Sequence, residues 1–389
     1  MMKGFKDELQ NNILPFWINK MTDNQNGGFY GQINGYNRLQ PHANKGAVLN
    51  ARILWTFSAA YRILGNDQYL AAAQRAYTYI RDNFIDEEYG GAYWELDYLG
   101  KPVNTKKQVY AQGFVIYGLS EYYRVTQDAE VLHLAQSLFI LLEKHRDKEN
   151  GGYFEAFTRE WKPIEDMRLS EKDANEKKSM NTHLHILEPY TNLLRVWNDP
   201  HLRKAQEELI SIFLDRILDN QSYHQHLFFD EQWTVKSTAI SYGHDIEAAW
   251  LLYEAAQVLN YEGAMQQVSA ICLKIADAAS EGLQDDGSMI YEKNNNHIDT
   301  DRHWWVQAES IVGYMYAYKI SKDERYKQYA EQLWIYIQNN ITDRIYGEWI
   351  WSRNDEGEIN RNEDKAGFWK CPYHNSRMCL EMIENFNLI

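Results

Sequence analysis

A glycine–aromatic segment returns six times along this 389-residue chain, and its spacing limits the fold more than any other feature. "NGGFYG" fills 26–31, "YGGAYWE" 89–95 and "NGGYFEAF" 150–157; weaker copies are "QHLFFDEQW" at 225–233, "DGSMIYE" at 286–292 and "YGEWIW" at 346–351. With Gly28, Gly91, Gly152, Leu227, Gly287 and Gly347 as markers, the gaps are 63, 61, 75, 60 and 60 residues. Self-similarity at a near-constant period marks a repeat of one supersecondary unit.

The segments between markers read as helices. Leu49, Ile53, Phe57, Ala60 and Leu64 fall at helix spacing; Gly65–Asn66 breaks the run, and Leu70, Ala73, Tyr77, Ile80 and Phe84 resume it. The same pairing recurs at 107–125 with 128–145, 179–197 with 201–217, 242–258 with 261–281, and 304–320 with 323–340. A first helix near 5–20, bent by Pro15, and a last one from about 373 bring the total to twelve. Each unit is helix, aromatic hairpin, helix. Closing twelve amphipathic helices into a double ring covers every apolar face. The reading is an all-α (α/α)6 barrel, one catalytic domain over 1–389, with short β-hairpins at one end. The alternative, an open superhelical solenoid, needs polar outer faces on its terminal helices, and both terminal helices here are apolar.

Charge and composition remove several function classes. The net charge is −15, and no Lys- or Arg-rich tract appears, so a nucleic-acid partner is not expected. No run approaches the ~20 apolar residues of a membrane helix, and "MMKGFKDELQNN" lacks a signal-peptide core. Cys272, Cys371 and Cys379 have no zinc-type spacing and read as small buried hydrophobes with reduced thiols. A cytoplasmic protein, monomeric or a weak homodimer, is expected. Aromatics make up 14% of the chain; they suit either a core or a sugar-binding cleft.

Every hairpin precedes the second helix of its unit, so all six hairpins share one end with the N-termini of six inner helices. Those N-termini carry free N–H donors and partial positive charge. Their first turns hold Arg52; Tyr110; Asn181, His185 and Glu188; Tyr242, His244 and Glu247; Trp304, Trp305 and Glu309; and Tyr373, His374 and Arg377. Pro372 fits the first turn of the twelfth helix, where its missing N–H costs nothing, and so fixes His374 at the mouth. A helix N-terminus disfavours imidazolium, which leaves His244 and His374 in the neutral, proton-accepting form. In "HLH" at 183–185 the two rings point about 200° apart, so only one can line the cavity. His185 with Glu188 and His244 with Glu247 are i,i+3 pairs on which a carboxylate can orient an imidazole. A di-metal site on these pairs is the alternative use. The polar stretch at 158–179 reads as a long loop over the mouth.

"WKCPYHNSRMC", "SYGHDIEAAW", "WWVQAE", "MNTHLHILEPYT" and the group Gly46, Arg52, Leu54 and Trp55 resemble the cellobiose 2-epimerases, in the N-acylglucosamine 2-epimerase superfamily. The likeness runs from "ILPFW" at 13–17 to "RMCLEM". It implies an (α/α)6 enzyme that works without cofactor or metal and inverts carbon 2 of the reducing sugar of a disaccharide. Carried over residue by residue, His244 and His374 form the acid/base pair, supported by His185, Arg52 and Glu247. Tyr110, Asp173, Asn181, Trp305 and Trp369 match substrate contacts, and Glu309, in a matching motif, is expected among them.

That chemistry needs what the mouth supplies. Carbon 2 is acidic only beside an open aldehyde; a base removes its proton, and the enediolate requires cationic or N–H stabilisation. Two histidines allow removal on one face and return on the other. An aldose–ketose isomerase or an N-acylglucosamine or mannose 2-epimerase would use nearly the same residues. A glycoside hydrolase needs two carboxylates flanking a bond, for which Glu247 and Glu309 are the inner candidates. A non-catalytic sugar binder explains the aromatics but not three inward histidines with an arginine.

Overall fold

In three units a two-residue turn sends the outer helix back along its inner neighbour. Gly65, Gln127 and Lys322 end helices in the left-handed region at φ 69°, 55° and 61°. The next residues, Asn66, Asp128 and Asp323, cap the following helix by accepting its backbone N–H. The computed structural model describes residues 3–260 and 262–388. The termini of the domain expected over 1–389, and Tyr261 at the start of the helix expected over 261–281, lie outside the described residues.

Among the described residues twelve helices alternate around the ring. The outer set is α1 (Phe5–Glu8 and Leu14–Lys20, joined by the wide π turn Leu9–Ile13), α3 (Asp67–Tyr79), α5 (Ala129–His145), α7 (Pro200–Ile212), α9 (Glu262–Ala279) and α11 (Glu324–Tyr336). The inner set is α2 (Ala47–Leu64), α4 (Val109–Thr126), α6 (Met180–Leu194), α8 (Tyr242–Leu259), α10 (Trp304–Ser321) and α12 (Tyr373–Phe386). Each inner helix packs on the next, α12 returns to α2, and α1 covers α12. The ring is therefore closed, and the open solenoid is excluded. The bend expected at Pro15 is taken up by the π turn just before it, where the helix widens around the missing N–H.

The hairpin end is closed by strands. In four units the dipeptide entering the inner helix pairs antiparallel with the next hairpin: Lys45 with Leu96, Lys107 with Phe157, Lys178 with Phe229, and Arg302 with Arg353. A bridge from Ile33 to Ala366 joins the last unit to the first. Buried lysines in these dipeptides latch onto the aspartate that opens each hairpin, Lys45 to Asp23 (2.9 Å), Lys107 to Asp86 (2.9 Å) and Lys178 to Asp147 (2.8 Å). Each pair excludes water, so its geometry is fixed.

The structural register corrects the marker set. Bridges at Phe29, Ala92, Gln225, Met289 and Trp349 place Gly28, Gly91, His224, Ser288 and Glu348 at one equivalent position. The fourth marker is thus His224, not Leu227, and the last two fall one residue after Gly287 and Gly347. Tyr223 at φ 62° carries the left-handed turn that glycines carry elsewhere, so no glycine marks that hairpin.

Among the described residues no helix is long and apolar enough to cross a membrane. The loop at 158–179 is tied down by Lys106 Nζ on the Arg168 carbonyl (2.9 Å) and Gln108 Nε2 on that of Met167 (3.0 Å). It is less solvated than expected, because Trp161 and Met167 are buried.

Candidate active site

The fourth residue of an inner helix fixes its register on the hairpin. Gln112 grips Ala92, accepting its N–H at 2.6 Å and donating to its carbonyl at 2.9 Å. Gln307 does the same to Met289 (2.9 and 2.7 Å). His183 accepts the Tyr153 N–H at 3.0 Å, and Asp245 accepts that of Gln225 at 2.9 Å. Asn50 and Asn375 stand at the corresponding places in α2 and α12. One step before these anchors lie His244 and His374, at equivalent positions of two units. Two steps after them lie Arg52, Phe114, His185, Glu247, Glu309 and Arg377, all buried, as one inward layer.

Local sequence shapes that layer. Pro189 cannot bond back to the His185 carbonyl, and the backbone at His185 leaves the helical region (φ −90°, ψ 17°). The freed carbonyl lies against Gly113 of α4, where a Cβ would stand 2.3 Å from the oxygen. Only glycine admits that approach. Gly243 likewise leaves room for the Trp305 ring, which a Cβ would meet at 2.8 Å.

Arg377 is the hub of the buried charges. Its Nη2 donates to Glu247 at 2.6 Å and Glu309 at 2.7 Å, while Nη1 donates to Glu188. Glu188 also accepts from the Tyr373 hydroxyl and faces His185 Nδ1 at 3.1 Å. Burial opposes ionisation of Glu188, but Arg377 and His185 overcome it and hold the carboxyl down at about 2. Burial and the mutual repulsion of Glu247 and Glu309 push Glu247 well up, and burial raises Glu309 too. Glu247, Glu309 and His374 are close enough to share a cation. The Arg377 guanidinium already bonds both carboxylates, so the positive charge there comes from the chain itself.

The two mouth histidines are held differently. His374 Nδ1 sits 2.7 Å from Glu309 Oε1, and His244 Nδ1 sits 2.8 Å from Ser241 Oγ. Among the described residues no hydrogen bond engages Nε2 of either ring. Burial, reinforced by Arg52 and Arg377, pulls His374 well below the usual histidine range. Burial and the neighbouring His185 bring His244 down to about 3. Both imidazoles are neutral at pH 7. Trp305 lies between them, its ring 4.7 Å from His244 and 5.7 Å from His374.

Arg52 forms no ion pair among the described residues. One Nη donates to the Tyr110 hydroxyl at 2.8 Å, and the guanidinium lies over Phe114 (4.1 Å) and Tyr373 (4.7 Å). A buried guanidinium without a carboxylate is poised for an anion that forms in the cavity.

Several expectations change. The expected His244–Glu247 pair does not form: Glu247 turns one helical turn deeper toward Arg377, and Ser241 takes its place on His244. Glu309, expected among substrate contacts, is occupied by His374, Arg377 and the Trp250 indole N–H (3.1 Å). Of the two histidines at 183–185, His183 serves the fold and His185 faces the layer. Pro372 is the cap before α12 rather than its first residue. Asp173 accepts from the Ser170 N–H and hydroxyl (both 2.9 Å), shaping its own loop. Asn181 leaves its Oδ1 without a partner, and half-buried Trp369 packs on Tyr110 (6.0 Å) and Trp94 (5.9 Å). Ser241 and Trp250 were not singled out from sequence; Ser241, three residues before His244 in "SYGH", was the available signal.

Fold and site define an (α/α)6-barrel protein with two neutral histidines and an unpaired arginine at its mouth. The profile of the N-acylglucosamine 2-epimerase (GlcNAc 2-epimerase) family matches residues 28–377, and the chain belongs to that family. A cellobiose 2-epimerase of Bacteroides fragilis is 55% identical over 386 residues, covering 98% of both chains. The solved cellobiose 2-epimerase of Bacillus thermoamylovorans B4167 superposes with a TM-score of 0.95 at 42% identity, over 98% of each chain. A D-mannose isomerase structure, at 20% identity and a TM-score of 0.85 over 98% of this chain and 97% of its own, shares the fold.

Proposed function

We infer that this chain is a cellobiose 2-epimerase, interconverting cellobiose and 4-O-β-D-glucosyl-D-mannose, and that lactose-like β-1,4 disaccharides enter the same cleft. The observation that carries this reading is the pair of neutral, equivalently placed imidazoles, His244 and His374, with the unpaired Arg52 guanidinium in the same layer. Both rings being neutral in the free protein, the reacting form takes up one proton from solvent, so that one imidazole is neutral and the other is an imidazolium. The neutral ring takes the carbon-2 proton of the opened sugar, and the electron pair moves into the C1 carbonyl. Arg52 and His185 stabilise the enediolate oxygen that results. The other ring returns a proton to carbon 2 on the opposite face. Tyr110 orients Arg52, and Glu309 and Arg377 orient His374. Trp305 and Asn181 line the reducing-sugar subsite, Trp369 the outer one, and Asp173 approaches from the loop above.

The proposed compartment is the cytoplasm, supported by three buried, unpaired thiols. The test is cellobiose in deuterium oxide followed by NMR of the product. Glucosyl-mannose with deuterium at carbon 2 is the expected result. Deuterium at carbon 1 of a ketose would identify an aldose–ketose isomerase, and free glucose would identify a hydrolase.

A further inference from the structure

Behind each mouth histidine the hairpin changes its chemistry. The equivalent hairpin position holds Gly28, Gly91, Gly152 and Ser288 in four units, and it holds His224 and Glu348 in the other two. Those two units are the ones that carry His244 and His374. In both, the new side chain bonds the residue immediately after the mouth histidine. His224 Nδ1 is 2.7 Å from Asp245 Oδ2, and Glu348 Oε1 accepts from Asn375 Nδ2 at 2.7 Å.

The connections fix backbone as well as side chains. Asp245 Oδ1 accepts the Gln225 N–H at 2.9 Å, and the Gln225 side-chain amide donates to the His244 carbonyl at 2.9 Å. Glu348 Oε1 also accepts the Trp349 N–H and Lys370 Nζ, and Oε2 accepts the Trp17 indole N–H. In the second and fifth units the same job is done by a neutral amide, Gln112 or Gln307. Hydrogen bonds with an ionised partner are shorter and stiffer than neutral ones.

We propose that His224, through Asp245 and Gln225, and Glu348, through Asn375, are positioning residues that hold the peptide segments of His244 and His374 for proton transfer at carbon 2. The inference rests on the reading of His244 and His374 as the acid/base pair. At this hairpin position a titratable side chain stands only in the two histidine units among the described residues, where a small displacement of Nε2 changes the transfer distance; the other four units have glycine or serine there. His224 faces Asp245 at 2.7 Å and Glu281 at 3.5 Å, with the Tyr242 ring 6.1 Å away. Burial works against its charge, and Asp245 and Glu281 outweigh it, so its pKa is raised. The ion pair is lost as the pH rises through that raised value.

The test compares wild type, His224→Gln, His224→Arg and His244→Ala, with cellobiose as substrate. His224→Gln keeps a hydrogen bond to Asp245 without charge. It should lower kcat about tenfold or more with KM nearly unchanged, and abolish the alkaline decline of kcat expected of wild type. His224→Arg, a permanent cation, should restore much of kcat and hold it flat at high pH. If His224→Gln keeps wild-type kcat and pH profile while His244→Ala is inactive, the positioning role is wrong and the catalytic reading stands. If His244→Ala stays active, the catalytic reading itself fails. A melting temperature lowered in His224→Gln with kcat unchanged would also overturn the proposal, since it would leave His224 a purely structural role.

Discussion

His374 and Glu309 meet through a 2.7 Å contact between Nδ1 and Oε1, and the same oxygen accepts from Arg377 Nη2. The carboxylate therefore fixes the His374 tautomer with its proton on Nδ1 and its lone pair on Nε2.

Glu309→Gln tests that relationship. The amide is nearly isosteric, but it can present N–H to His374 and favour the opposite tautomer. Removing the orienting carboxylate of a histidine costs up to about 10^4 in kcat where the wrong tautomer results. A loss of 10^2–10^4-fold in kcat, with a circular dichroism spectrum like wild type, is the expected outcome. Near-normal kcat would show that His374 is oriented by something else.

Arg377 should be needed for the fold itself. It bonds three buried carboxylates, and removing one partner of such a network costs about 3–5 kcal/mol. Arg377→Met should lose stability of that order in urea unfolding, and Arg377→Lys should recover it only in part, because one ammonium cannot reproduce the guanidinium fork. Because Arg377 supplies the cation between Glu247 and Glu309, EDTA should leave wild-type turnover unchanged. Inactivation by EDTA with recovery on adding one divalent metal would contradict this assignment.

Two buried neighbours, His183 and Tyr153, predict how stability varies with pH. His183 accepts the Tyr153 N–H on Nε2 and donates Nδ1–H to the Ser179 carbonyl (2.7 Å), a pattern only the neutral ring can satisfy. Burial depresses its pKa to about 4. The unfolded ring, with a pKa of about 6.5, therefore takes its proton first as the pH falls. Stability is unaffected above that value, declines between pH 6.5 and 4, and levels off below, a loss on the order of 3 kcal/mol. His183→Gln, the residue type found at this place in α4 and α10, should flatten that slope in denaturant titrations. An equally steep decline in the variant would assign the effect to other groups.

Much of this arrangement was legible before the structure. Repeat spacing and apolar periodicity located the twelve helices, and the position of the hairpins put His185, His244 and His374 at one end. What could not be read was which side chain turns to which neighbour. Glu247 sits three residues after His244 and invites a pairing along α8, yet its partner is Arg377, 130 residues away on α12. Helix periodicity says which face a residue shares, not which of two partners on that face wins. The fourth marker was misplaced for a similar reason: glycine reports a left-handed turn only where no other residue adopts it, and Tyr223 does.

Trp369 bears on why the substrate should be a disaccharide. It lies five residues before His374, half-buried at the rim, in a cluster with Trp94, Phe368 and Tyr110. In the proposed outer subsite a ring there would face the non-reducing sugar, and an aromatic face against a sugar contributes on the order of 1 kcal/mol beyond the area it buries. Binding energy gained at the outer sugar can position the inner one for proton transfer. Trp369→Ala should therefore lower kcat/KM for cellobiose about tenfold, at 1.4 kcal/mol per decade, while barely changing turnover of any monosaccharide the enzyme accepts. Its contact with Tyr110, which holds Arg52 at 2.8 Å, provides the contrasting outcome. If cellobiose and monosaccharide lose activity in equal proportion, Trp369 acts through Tyr110 and Arg52 on the reacting subsite, and the outer sugar is held elsewhere.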